Sequence, residues 1–284
     1  MSQQVQDLRF ALRLLAGNPG FTAIAVVVLA LGIGGNTAIF SLVHGIMLQP
    51  LPLPAAERLV QLERSYPEGN VPTVSVPKFH YWREHAESFT AMAGWANPGV
   101  GFNLAGEGEP ERINGSRVTA DFFTVFGSEP TRGRNFNAAD DVPGAPPVVI
   151  LSHGLWQRRF GADPGIVGRS LTLDGLAHLV VGIAPRGFYM PEDARLWSPW
   201  RLDPVAESDE VTPMHVTGLL EPGTDLAAVR AEMRVVGHQF MATAASAQPD
   251  APEQVSVRLL KEFLYGDLRP ALRMMLAAVG LVLL

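Results

Sequence analysis

Between Leu14 and Ala56 the chain carries no Asp, Glu, Lys or Arg, and within that stretch Phe21–Leu48 is almost wholly apolar or small. As a helix these 28 residues would measure roughly 42 Å, more than the ~30 Å hydrocarbon core of a bilayer. Such a segment can span a membrane, with length left for tilt or a short stalk. Arg9 and Arg13 precede it, as basic residues precede a cleaved leader. A leader's apolar region, however, runs only about 7–15 residues and ends at small residues. Here the run is about twice that length and leads into Met47-Leu48-Gln49-Pro50. The expectation is an uncleaved anchor.

A second apolar run, Met274–Leu284, follows Arg273 and closes the sequence. Its helix would cover roughly 16 Å, about half a bilayer. With no polar face it suits neither a surface helix nor an exposed terminus. It reads as a second span cut short, and the chain as a fragment. Upstream of the first span, Val5, Leu8, Leu12 and Leu15 share one face of an amphipathic lead-in, which Gly17-Asn18-Pro19-Gly20 breaks. The sequence therefore divides into a lead-in helix (1–18), a transmembrane helix (19–48), an ectodomain (49–269) and the start of a second transmembrane helix (270–284). Arg9 and Arg13 before the first span, against Arg58 after it, put the amino terminus inside by a narrow margin. Gly32-Ile33-Gly34-Gly35-Asn36 has the letters of a dinucleotide-binding loop, but no strand precedes it. Gly32, Gly34 and Gly35 are instead candidates for close helix packing in the membrane.

Every acidic residue except Asp7 falls in 49–269. The pattern there is mixed. Arg58–Arg64, Pro147–Leu151, Ser170–Leu173, His178–Ile183, His215–Leu220 and Val255–Leu260 read as strands, with Asp174-Gly175 as a hairpin turn. Pro77–Phe89 reads as a helix, as does a segment that Thr224 is placed to cap, bearing Leu226, Val229, Met233, Val236 and Phe240. Thr119 and Ser152 are placed to cap short helices carrying Phe122, Phe123 and Phe126, and Leu155, Trp156 and Phe160. Strand–helix units at both ends around a β-rich insert predict two lobes, the first and last units pairing into one lobe near the membrane.

Chemistry is harder to find. The net charge of −6 offers no positive field for nucleic acid. No cysteine is present, so disulfides, thiolate metal sites and cysteine nucleophiles are excluded. Only Lys78 and Lys261 are lysines and no phosphate-binding Gly-x-x-x-x-Gly-Lys motif occurs, so the chain is not its own ATPase. His80 and His85 lie five apart, the wrong spacing for two metal ligands on one helix face. Ser152 sits at a strand-to-helix turn, but Ile150 stands where a nucleophile elbow has glycine, so a helix cap explains it. Asp140-Asp141, Glu192-Asp193 and Asp209-Glu210 lack calcium-loop spacing and read as solvated loop charge. No catalytic, cofactor-binding or metal site is expected. Phe122, Phe123 and Trp156 are candidate partner-docking or core aromatics.

Several stretches together carry a family resemblance. They are Asp7-Leu8-Arg9, Leu29–Phe40 in the span, Gly108-Glu109-Pro110-Glu111-Arg112, and Phe122-Phe123-Thr124-Val125-Phe126-Gly127. Most specific is Leu151-Ser152-His153-Gly154-Leu155-Trp156-Gln157-Arg158-Arg159-Phe160-Gly161, followed by Gly168-Arg169-Ser170-Leu171, Val180-Val181-Gly182-Ile183 and Asp267-Leu268-Arg269-Pro270-Ala271-Leu272. The chain resembles the MacB-like periplasmic core domain of FtsX/MacB-type ABC transporter permeases, and is similar to the duplicated orphan permeases among them. The resemblance implies an α+β periplasmic domain of two lobes, a βαβ-containing membrane-proximal lobe and a β-rich inserted lobe, on an N-terminal transmembrane helix. It implies a non-enzymatic permease subunit in the bacterial inner membrane, its amino terminus cytoplasmic and residues 49–269 periplasmic. Membrane lipid, a separate ABC ATPase subunit and a second permease subunit or repeat would be its partners, with ATP-driven closure moving the periplasmic domain. Members continue through three further spans that this sequence does not reach. A membrane-tethered periplasmic binding or sensing module is the alternative reading.

Overall fold

The computed structural model describes residues 15–43, 50–96, 100–106, 109–203, 214–243, 253–268, 270–271 and 274–275. The lead-in 1–14 and most of the second apolar run lie outside the described residues. The chain divides into two compact units, Met1–Pro50 with Leu264–Leu284, and Leu51–Phe263.

In the first unit, helix α1 spans Pro19–Val43. Pro19 opens it, where a missing N–H leaves no bond unmade. The Thr22 N–H then donates to the Asn18 carbonyl at 3.0 Å. The break is thus narrower than expected, because Gly20 already lies inside the helix. Phe21, Ile24, Val28 and Ile33 are all more than 60% exposed, and among the described residues of the apolar window Pro19–Ala38 none is buried. Among the described residues this is the one helix long and apolar enough to cross a membrane.

The second unit opens with β1 (Leu59–Tyr66), β2 (Gly69–Val71), α2 (Val76–His85) and β3 (Phe89–Trp95). An insert follows: β4 (Val100–Ala105), β5 (Glu111–Val118), α3 (Phe122–Val125), β6 (Arg132–Gly133), β7 (Val148–Leu151), α4 (His153–Phe160), β8 (Ser170–Leu173), β9 (Leu176–Ile183) and β10 (Leu196–Pro199). The unit closes with β11 (His215–Leu220), α5 (Leu226–Thr243), β12 (Gln254–Leu259) and α6 (Leu260–Tyr265).

The first and last elements interleave. β1 lies between β11 and β12, and β11 between β1 and β3, every pairing antiparallel. β1 and β3 therefore run parallel with β11 between them, the split βαβ arrangement of ferredoxin-like folds. The helices α2 and α5 cover this sheet, and Val60, Leu62, Phe79, Trp82, Val216 and Met233 are part of the shared core. We call this the open lobe.

The insert closes on itself. Around a ring, β5 pairs β10, β10 pairs β7, β7 pairs β9, β9 pairs β8, β8 pairs β4, and β4 returns to β5. Each of these six strands has two neighbours within the ring, so this barrel lobe has no free edge. Phe102, Leu104, Val149, Leu173, Val180 and Leu196 belong to its core. Gly115 permits the close approach inside: a Cβ there would come within 2.6 Å of the Phe102 ring and 2.8 Å of Leu196.

Three expectations need correction. Phe89 belongs to β3, not to the preceding helix. After the Ala86 N–H to Trp82 carbonyl bond, the Glu232 carboxylate takes the N–H groups of Glu87 and Ser88 and ends α2. Thr224 does not open α5, whose first residue is Leu226 and whose early Val229 N–H bonds the Asp225 carbonyl. The strand β10 was unexpected; four residues ending in Pro199 carry too little periodicity to read.

Candidate functional site

The glycines singled out in the span stand clear of the rest of the structure. A Cβ added at Gly32, Gly34 or Gly35 would meet nothing within 4 Å. They share one helix with Thr37, whose hydroxyl donates to the Ile33 carbonyl at 2.8 Å rather than outward.

Phe122 and Phe123 are fully buried. Phe123 packs on Phe136 (6.0 Å between centroids), Phe188 (5.2 Å) and Trp197 (5.4 Å), and Phe122 on Phe126 (4.8 Å). No face of either ring reaches solvent, which overturns the docking alternative for both and leaves them as core. Trp156 is 8% exposed in the barrel core. Its indole N–H donates to the Asp163 carbonyl at 2.8 Å, and the Arg132 guanidinium lies 5.7 Å from its ring. The sequence grouped these three aromatics, but the structure gives Phe122 and Phe123 to the cluster on α3 and Trp156 to α4.

The most densely organised polar arrangement lies where the two lobes join. β3 and β5 share a single register pair, Trp95 with Val118. Flanking bonds lengthen it: the Ala96 N–H donates to the Arg117 carbonyl (2.8 Å) and the Thr119 N–H to the Gly94 carbonyl (2.9 Å). Two hydroxyls continue the ladder, Thr119 Oγ1 accepting from the Gly94 N–H (3.0 Å) and Ser116 Oγ donating to the Ala96 carbonyl (2.8 Å). Thr119 is therefore not the expected helix cap. Asp121 occupies that position, without a side-chain bond.

Asp141 holds the same joint from the other side. Its Oδ2 accepts from the Ala120 N–H and its Oδ1 from the Arg201 N–H, both at 2.8 Å. Burial pushes its carboxyl up, while the backbone N–H donors and Arg83 pull the other way. Arg201, at φ 57°, returns its guanidinium to the Asp140 and Pro146 carbonyls at 3.4 and 3.1 Å. Asp140 is itself 8% exposed, paired with Arg134 at 2.6 Å and reciprocally capped with Asn137. The reading of Asp140-Asp141 as solvated loop charge is thus wrong. Loop-like composition conceals burial, which depends on partners far along the chain.

The remaining candidates are structural. Ser152 Oγ accepts from the Leu155 N–H at 3.1 Å as a cap, and His153 Nε2 faces Arg186 at 3.2 Å, not Ser152. His80 contacts Arg83 and His85 the Tyr81 carbonyl; among the described residues no group of three or more His, Asp or Glu could hold a metal. Asp193 lies 3.5 Å from Arg195, and Asp209-Glu210 fall outside the described residues. His215 went unnoticed in the sequence. It is 5% exposed and stacks on Trp95 at 4.3 Å, and burial lowers its pKa to about 4.

These features form a folded body without a catalytic constellation among the described residues. The model of the MacB-like periplasmic core domain matches residues 22–236. No curated protein matches the chain. Among solved structures, a domain of a putative permease protein from Porphyromonas gingivalis superposes with a TM-score of 0.56 at 14% identity, covering 73% of this chain and 92% of that one. The periplasmic region of MacB from Actinobacillus actinomycetemcomitans gives 0.55 at 10% identity, covering 79% and 98%. The extracellular domain of the noncanonic ABC-type transporter YknZ from Gram-positive bacteria gives 0.51 at 13% identity, covering 70% and 99%. At these identities the structures speak for the fold, and the family match, which covers well over half of the sequence, decides the rest: this chain belongs to the MacB-like periplasmic core domain family.

Proposed function

We propose that the chain is a permease component of an ABC-type exporter or mechanotransmission complex, and is not itself an enzyme. The observation that carries this reading is that the family match begins at residue 22, inside α1, and runs without a break to residue 236, inside α5. An exposed, charge-free helix and a family ectodomain thus belong to one recognisable unit. In this reading the amino terminus is cytoplasmic and residues 49–269 are periplasmic. The open lobe is then the membrane-proximal one, and residues 270–284 re-enter the bilayer. A separate ATPase subunit supplies the work, and a second permease subunit or repeat completes a dimer around Gly32, Gly34 and Gly35. ATP-driven closure on the inner side then displaces the periplasmic body. Topology tests the first part: the chain should remain in the membrane through alkaline carbonate, and a protease site placed in the ectodomain should be cut in spheroplasts. Cleavage only after lysis would reverse the orientation. Co-purification of an ATPase with the epitope-tagged chain tests the second part, and its absence under mild detergent would remove the coupling.

A further inference from the structure

Three of the stretches that carry the chain between its lobes lie together. The chain leaves the open lobe at Trp95–Ala96, returns through Val118–Ala120 to the short helix α3, and leaves the barrel at Pro199–Leu202. Linkers between independently moving bodies make few bonds to the bodies they join. These crossings are different. The first and second are bonded to each other by the Trp95–Val118 pair and its flanking backbone and hydroxyl bonds, all between 2.8 and 3.0 Å. The second and third are bonded to each other by the Trp200 N–H, which donates to the Val118 carbonyl at 2.9 Å. One carboxylate, Asp141, holds an N–H from each of them, at Ala120 and at Arg201.

Apolar contacts follow the same route. Trp200 and Leu202, just past the barrel's last strand, pack against the core of the open lobe. The helix α3 lies against β3 and β11 of the open lobe, while its Phe123 packs on Phe136, Phe188 and Trp197 of the insert. Trp95, at the crossing itself, donates its indole N–H to Thr217 on β11 at 2.9 Å, and Thr217 bonds Gln61 on β1 at 3.2 Å. All three of these side chains are buried, Trp95 at 3% exposure and the other two at none.

We infer that Asp141 and Thr119 clasp the crossing strands so that the two lobes move as one rigid lever rather than bending at a hinge. This concerns the mechanics of the ectodomain and stands apart from the transport reading. A body that passes motion from one end to the other loses none of it at such a joint. A domain that grips a ligand between its lobes needs a joint that opens.

The absence of cysteine makes the test direct, because nitroxide labels attach only where a cysteine is introduced. Glu84→Cys on α2 and Gln157→Cys on α4 place exposed labels on the two lobes. In the full chain in detergent, pulsed dipolar spectroscopy should give one narrow distance distribution. Adding Asp141→Ala and Thr119→Val should broaden it about twofold or split it. Asp141→Asn, which keeps one acceptor oxygen, should fall between. A second pair within the barrel, Gln157→Cys with Leu176→Cys, should stay narrow throughout and so report that the lobe remains folded. A broad or bimodal distribution in the otherwise unaltered chain would overturn the inference. So would an unchanged width in the Asp141→Ala, Thr119→Val background with the barrel pair still narrow. Loss of the transport reading, through failed co-purification or reversed topology, would leave these distances as they are.

Discussion

The two lobes solve the same problem, an exposed sheet edge, in opposite ways. The barrel removes its edges by pairing β5 with β10 and closing the ring. The open lobe keeps an edge at β12, and charge collects there. Glu63 on β1, whose side chain is 1% exposed, is held by Arg258 of β12 at 2.6 Å. Glu253, at the entry to β12, bonds buried Lys78 at 3.0 Å and the Tyr66 hydroxyl at 2.6 Å. That carboxylate, together with burial as the larger cause, pushes the Tyr66 pKa up to about 12. Arg230 of α5 donates to the Val257 carbonyl at 2.9 Å. A strand with one neighbour makes half the ladder bonds of a central strand, and side chains from other elements make up the difference. Ring closure gives stability without specifying charges, whereas the edge lobe depends on particular pairs.

Two substitutions should separate these modes. Leu151→Ala removes a fully buried side chain from the barrel core and should cost about 4 kcal/mol, the larger effect, because a closed body cannot collapse onto the cavity. Chemical denaturation of the detergent-solubilised chain, followed by tryptophan fluorescence, measures it. A loss under about 1 kcal/mol would show that the barrel relaxes freely. Arg258→Met strands Glu63 in the sheet with only the Asn70 amide at 3.3 Å, and should cost about 3 kcal/mol. Amide exchange should then rise in β12 and leave β7 and β9 unchanged. Faster exchange in both lobes would mean that the lobes unfold together.

What could be read from the sequence was what depends on near neighbours. The apolar helix α1 follows from composition alone. The hairpin between β8 and β9 follows from Asp174-Gly175, which take φ values of 48° and 80° as a tight turn of this kind requires. Ser152 caps α4 as expected because its partner is three residues away. What could not be read depends on distant partners. Ring closure joins Leu196 to Gly115 across a strand of four residues. Thr119 looks like a helix cap until Gly94 is beside it. Asp141 looks like a loop acid until Ala120 and Arg201 surround it. The joint is invisible locally because each of its residues has an ordinary local use.

The pH response bears on the same contrast, since the open lobe buries His215 at its joint-facing end. Its folded pKa, about 4, lies below the ordinary 6.5 because burial disfavours the charged ring. As pH falls through 6.5 the unfolded chain takes up a proton that the folded one refuses, so the stability present above 6.5 is lost toward pH 4. The loss should reach about 2 kcal/mol at pH 5. Denaturation midpoints at pH 7 and 5 measure it, and His215→Phe should abolish that part of the slope. An unchanged slope in the variant would assign the effect to other groups.

The smallest effect tests the turn from β7 into α4. Ser152→Ala deletes the oxygen that accepts the Leu155 N–H and should cost about 1 kcal/mol, in the range of an ordinary cap. A nucleophile would behave differently, since its loss removes activity and need not lower stability. The neighbouring His153 directs Nε2 to Arg186 rather than to Ser152, so it is not placed to take a proton from the hydroxyl. Ser152→Thr keeps an accepting oxygen and should recover most of the loss, and Ser152→Gly, a comparably good cap, should recover a similar part. Equal losses for Ala and Thr would show that packing around the 7%-exposed side chain, and not its hydrogen bond, sets the stability of this turn.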